Sequence, residues 1–97
     1  MNDQAIKSDA NKPRLTLVPM QILYDIAAIR EYGIAKYGDT ESWRRVEPWR
    51  YRDALARHII EYIRDHDSRD SESGLPHLHH AACNLAFLAE LERERHV

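Results

Sequence analysis

Three of the six histidines, His77, His79 and His80, fall within four positions directly after Ser73-Gly74-Leu75-Pro76, where a helix is expected to begin. Imidazole ligates metals, and the free N–H groups of a helix N-terminus attract anions. His77 and His80 are three apart and share a helical face with Asn84, whereas His79 points elsewhere. Upstream, His58, Glu61 and Asp65 stand at i, i+3 and i+7 on the polar stripe of another expected helix, with Arg57 and Arg64 beside them. Antiparallel packing of these two helices would bring the polar faces together, with Glu61 and Asp65 as the carboxylates for a magnesium ion. The plainer reading of the same residues is a solvated surface, because acid pairs at i, i+4 in a highly charged chain usually face water.

An anionic ligand has a second set of partners. Lys12, Arg14, Lys36 and Arg57 supply cations, and Ser73-Gly74 leads into the third helix with His77 and His80 in its first turn. Charge-assisted hydrogen bonds from such groups suit phosphate. Tyr37, Trp43 and Trp49 lie near these cations in sequence, and an aromatic face beside positive charge suits a purine joined to a polyphosphate. Trp43, in a polar loop, is the better ligand contact; Trp49 reads as a filler of the small core.

These residues need elements to hold them. A first helix is expected from near Pro19 to about Tyr37, where Gly38 stops it, with Ile22, Ile26 and Ile29 on an apolar stripe. Gly33 inside that run costs up to ~1 kcal/mol relative to alanine, which suits close approach of a backbone or a ligand. A short helical turn over Trp43–Glu47 precedes a second helix from Pro48 to about His66, with Tyr51, Leu55, Ile59, Tyr62 and Ile63 spaced for burial. Residues 67–74 contain no apolar side chain and read as a loop. The third helix starts at Leu75 or Pro76 and runs to about Glu94; its middle, Ala81 to Ala89, is apolar on nearly all sides except at Asn84, as expected of a central helix. Lys12 to Pro19, bracketed by prolines, reads as an extended lead-in. The organisation is a flexible N-terminal arm over 1–11 and a helical nucleotide-binding domain over 12–97. The fold class is all-α, a small antiparallel bundle of three to four helices.

With 97 residues and a net charge of −2, the chain has room for one small core and lacks the basic field that sequence-independent binding of a nucleic acid duplex requires. A core this small favours a homo-oligomer. Cys83 is the single cysteine and sits in an apolar run, so no disulfide framework or cysteine zinc site is expected, and a reducing cytoplasm fits. No stretch approaches the ~20 apolar residues of a membrane span, and no Gly-x-Ser-x-Gly or phosphate-loop pattern occurs.

Several segments resemble a known family. Lys12-Pro13-Arg14-Leu15 with Leu17-Val18-Pro19, Gly33-Ile34-Ala35-Lys36-Tyr37-Gly38 with Trp43, Trp49 through Ala54, Arg57-His58, and Glu72-Ser73-Gly74-Leu75-Pro76-His77-Leu78 with His80, Ala81 and Asn84 are similar to the phage-associated dATP/dGTP diphosphohydrolase N-terminal domain family. That family is in turn related to the MazG-like all-α nucleotide pyrophosphohydrolases. The resemblance spans roughly Lys12 to Leu91 and implies phage origin, hence a host-cell cytoplasm. It further implies binding of purine deoxynucleoside triphosphates and, in active relatives, magnesium-dependent cleavage to a monophosphate and pyrophosphate. On this reading Glu61 and Asp65 hold magnesium, and His58, His77 or His80 contacts phosphate or positions water. MazG-like enzymes place Glu-x-x-Glu on one helix and Glu-x-x-Asp on another, whereas this chain offers Asp25 and Glu31 on its first helix and Glu61 and Asp65 on its second. The alternative of a different class is a non-catalytic protein that sequesters a host nucleotide signal, such as a cyclic dinucleotide or an ADP-ribose derivative.

Overall fold

Left-handed Gly38 (φ 75°) ends the first helix by returning its N–H to the Ile34 carbonyl, and the chain then builds two further helices around one apolar seam. The structure is a computed structural model that describes residues 10–95. Its helices are α1 (Gln21–Tyr37), α2 (Pro48–Arg64) and α3 (His77–Arg95), with 3₁₀ turns at Leu15–Leu17 and Ser42–Arg45. Among the described residues there is no strand, only an isolated antiparallel bridge between Arg69 and Pro76. The all-α expectation is met. The expected N-terminal arm falls outside the described residues except at Ala10 and Asn11, which are exposed.

α3 is the central element. It packs along α2 and, less extensively, against α1 and the Ser42–Arg45 turn, while α1 and α2 do not pack on each other. Early α2 meets late α3 at Tyr51 and Phe87 (ring centroids 4.9 Å apart), and late α2 meets early α3 at His58 and His80, so the two run antiparallel. Ala81 and Cys83 are buried to 3% and 2% exposure, small side chains that let neighbouring backbones come close. Ile29 of α1 is the third buried apolar residue among those described. A Trp43–Phe87 stack (4.7 Å, 15°) and a hydrogen bond from the Tyr51 hydroxyl to the Trp43 carbonyl (2.8 Å) fasten the connecting turn to this seam.

Four local expectations need correction. α2 stops at Arg64, short of His66, because Asp65 is extended (φ −153°, ψ 106°) and its carboxylate accepts the Asp67 N–H at 3.0 Å, a side-chain turn that competes with the helix. α3 starts at His77, not Leu75 or Pro76, since Leu75 and Pro76 are held by pairing across the preceding loop. The lead-in is not wholly extended: Leu17 donates to the Arg14 carbonyl in a 3₁₀ turn. Trp49, expected in the core, is half exposed and carries the Arg50 guanidinium over its ring at 4.7 Å.

Candidate functional site

The loop before α3 is organised by Asp70. Its Oδ2 accepts the backbone N–H of Ser73 (2.8 Å) and of Glu72 (3.1 Å), while its own N–H and C=O engage Leu75 and Gly74. Gly74 takes φ 74°, a left-handed conformation that suits glycine, and turns the chain back so that Arg69 pairs with Pro76. This closed turn delivers His77 and His80 to the start of α3 against His58 of α2.

Three imidazoles converge there. The Nδ1 atoms of His58 and His77 are 2.8 Å apart, one donating to the other, and the His58 ring lies flat on His80 (4.6 Å, 9°). The Ser73 hydroxyl hydrogen-bonds His80 Nε2 at 2.7 Å and accepts the Leu75 N–H at 3.1 Å. Asn84 Nδ2 donates to the His80 carbonyl (3.0 Å) one turn further on. His77 and Asn84 are buried, and both the side chains and the turn that holds them are hydrogen-bonded. Burial, reinforced by the neighbouring His80 and His77, pushes His58 down to about 4. It is therefore neutral at neutral pH, with a lone pair to offer. Burial also lowers His80, against the opposing pull of Asp70. Burial acts to raise the Asp70 carboxyl, but hydrogen bonding to Ser73 and the field of His80 outweigh it and hold it below the usual range. His58, Asp70 and His77 each offer one ligand atom, and these atoms lie within 4.8 Å of one another.

The carboxylates assigned to magnesium lie elsewhere. Glu61 pairs with Arg64 (3.4 Å), Asp65 turns to the Asp67 N–H, and no group of three or more ligating side chains among the described residues includes either. Glu61 is half-buried on the last turn of α2 and Asp65 is exposed just past its end, so a magnesium ion held there would draw its remaining oxygens from water or substrate phosphate. Among the proposed cations, Lys36 is ion-paired with Glu72, which also takes the Tyr32 hydroxyl, and Tyr32 meets the edge of His80 at 6.4 Å. Lys36 thus reaches the histidine cluster by way of Glu72. Arg57 is exposed beside His58, and Lys12 and Arg14 are exposed on the lead-in. His79 faces Asp25 of α1 at 3.4 Å, away from the cluster as expected.

A cavity of about 570 Å³ opens beside the seam, lined by Arg30, Gly33, Tyr37, Asp39, Ser42, Trp43, Val46 and Tyr51. Nothing stands within 4 Å of where a Gly33 Cβ would be, so this glycine borders open space and not a close backbone. Trp43 and Tyr37, read as base contacts, both line the cavity; Trp49 does not. Arg30, which donates to the Thr40 carbonyl and sits over Phe87 at 5.3 Å, was not singled out by sequence reasoning.

Asp70 was also missed. Its signal was present as Asp-x-x-Ser-Gly, an aspartate followed by residues whose N–H groups it can cap and by a glycine free to turn.

The family described as dATP/dGTP diphosphohydrolase, N-terminal, matches residues 2–97. The chain belongs to that family. A relative from Salmonella phage PMBT28, named dATP/dGTP diphosphohydrolase, is 34% identical over 90 residues, covering 93% of this chain and 30% of its own length. The chain therefore spans under a third of that relative. No solved structure matches. The matched span includes both the histidine seam and the cavity, and no described helix is long and apolar enough to cross a membrane.

Proposed function

We propose that the chain binds a purine deoxynucleoside triphosphate, with the phosphates at the start of α3 and the base toward the Trp43 cavity. The family match over residues 2–97 carries this reading. The geometry supports it in two ways. First, Ser73, Gly74, His77 and His80 stand at the N-terminal end of α3, and Arg57 lies exposed on the facing helix; a phosphate there gains from the helix dipole and from charge-assisted bonds. Second, the cavity is lined by Tyr37, Trp43 and Tyr51 together with Arg30 and Asp39; Phe87 and the Arg44 guanidinium already pack on the Trp43 ring, so Tyr37 is the more open aromatic face for a purine, with polar groups beside it to pair its edge. Asn84 acts indirectly, by fixing the backbone that carries His80.

The reaction we assign is cleavage to a deoxynucleoside monophosphate and pyrophosphate, the nucleotide entering with magnesium on its phosphates. His58 is the side chain best placed to orient a water at the cluster. Lys12 and Arg14 are assigned to the outer phosphates, where exposed cations strengthen capture more than chemistry. Purified protein incubated with dGTP or dATP and Mg²⁺ is expected to release pyrophosphate; no release from any common deoxynucleotide overturns catalysis.

One observation favours a second reading, retention without cleavage as a sponge for a nucleotide signal: both carboxylates proposed for magnesium are engaged within the chain, Glu61 by Arg64 and Asp65 by the Asp67 N–H. A nucleotide recovered intact after denaturing the preincubated complex supports sequestration, and recovery of a monophosphate excludes it. A homo-oligomer is part of the proposal, because Leu15, Leu17, Val18, Met20, Leu23 and Tyr24 are all exposed on one end of the chain.

A further inference from the structure

We infer that His58, Asp70 and His77 form a binding site for one divalent transition-metal ion of the zinc class, a centre distinct from the magnesium that accompanies a nucleotide. Its ligand atoms come from two helices and the intervening loop and already lie within 4.8 Å of one another. The donor set is two imidazoles and one carboxylate. Magnesium prefers oxygen throughout, whereas nitrogen-rich sets select zinc, cobalt, nickel or iron. Three protein ligands leave a fourth position for water or a phosphate oxygen, the pattern of reactive rather than structural zinc.

The site is built around the ligands as well as from them. The backbone N–H groups of Ser73 and Glu72 both go to Asp70 Oδ2, so Oδ1 is the oxygen the carboxylate would offer a metal. His80 stacks on His58 and is itself held by Ser73, so the imidazole plane of a ligand is set by a neighbour that does not ligate. Such outer partners orient ligands and are part of what makes an affinity high. The 2.8 Å approach of the His58 and His77 nitrogens is a hydrogen bond. Around a tetrahedral zinc with bonds of ~2.0–2.1 Å, two nitrogens stand roughly 3.3–3.4 Å apart, so a small outward shift of the rings admits the ion. A hydrogen-bonded apo pair and a metal-bound pair are thus two neighbouring states of the same residues.

The test is metal binding by the untagged full chain, freed of metal with a chelator and titrated with Zn²⁺ by calorimetry and with Co²⁺ by visible absorption. One equivalent of Zn²⁺ is expected to bind, to raise the melting temperature, and to persist in a large excess of Mg²⁺. Co²⁺ is expected to develop the intense visible bands of a four- or five-coordinate nitrogen and oxygen site. His58→Gln and Asp70→Asn are expected to weaken Zn²⁺ by about a hundredfold or more, at least the loss seen when an outer partner is removed. His79→Gln, altered at a histidine that faces α1, is expected to bind as the unaltered chain does. Circular dichroism identifies any variant that fails to fold, and the cobalt spectrum of the unaltered chain then decides alone. Absence of a stoichiometric Zn²⁺ site, equal competition by Mg²⁺, an octahedral cobalt spectrum of weak intensity, or Zn²⁺ binding undiminished in folded His58→Gln overturns the assignment. Because no nucleotide is present, failure here leaves the nucleotide reading intact, and failure of pyrophosphate release leaves the metal site intact.

Discussion

The two sides of α3 are built differently. Toward α2, small buried residues bring the helices together, and the polar groups enclosed there are hydrogen-bonded in sequence from Asp70 through Ser73 and His80 to Asn84. On the other flank, the lead-in and the start of α1 expose Leu15, Leu17, Met20, Leu23 and Tyr24, with a shallow cavity of about 300 Å³ among Met20, Leu23, Tyr24 and Ala27. The seam has its interactions satisfied within the chain, whereas the flank has apolar surface left over. One half is closed on itself, and the other offers apolar surface beyond what the chain's own core uses.

Breaking the seam is expected to have the largest effect. Ala81→Phe forces a large ring into a position only 3% exposed and is expected to destabilise the fold by about 3 kcal/mol in denaturant unfolding, while Leu85→Phe on the same helix, at 58% exposure, changes little. Equal effects at both positions would erase the distinction between the two sides. Removing the loop's organiser comes next. Asp70→Ala leaves the Ser73 and Glu72 N–H groups without their charged acceptor and is expected to cost about 2 kcal/mol, with a loss of order in the His77 and His80 ring signals by NMR.

Much of this contrast was readable in the sequence. The Ala-rich middle of α3 pointed to a central helix, and antiparallel packing of two helices joined by a short loop allowed His58 to face His77 and His80, without saying whether they meet within one chain. Asp70 was not legible from periodicity, because a loop residue gains its role from backbone N–H groups that no apolar pattern reports. Glu61 and Asp65 were placed by helical spacing, but spacing says nothing of the competing turn at Asp67 or the nearby Arg64. The cavity was half legible: Trp43, Tyr37 and Gly33 stood out by type, while Arg30 acquires its place only through the fold, by reaching Thr40 and Phe87.

A smaller effect sharpens the seam from the alkaline side. Burial raises the Cys83 thiol to about 11 from 9.0, so the folded chain keeps its proton where the unfolded chain loses it. The unfolded state then binds fewer protons, and stability is expected to fall as pH rises from about 9 toward 11. Cys83→Ala should flatten that slope, and the native thiol should resist alkylation at pH 8 until denaturant is added. Rapid alkylation of the folded chain would place Cys83 outside the seam. The flank gives the smallest change in intrinsic stability: Leu23→Ser is expected to shift it by under ~0.5 kcal/mol, yet to reduce self-association in sedimentation velocity. A large drop in stability with no change in association would mean that Leu23 belongs to the chain's own core.

The most direct test of the seam as the nucleotide site is calorimetric titration of dGTP into the full chain and its His80→Ala variant. The account predicts saturable binding that weakens at least about tenfold in the variant, the loss of one charge-assisted or helix-terminal phosphate contact. Absence of binding to the unaltered chain, or equal affinity for both folded proteins, would contradict it.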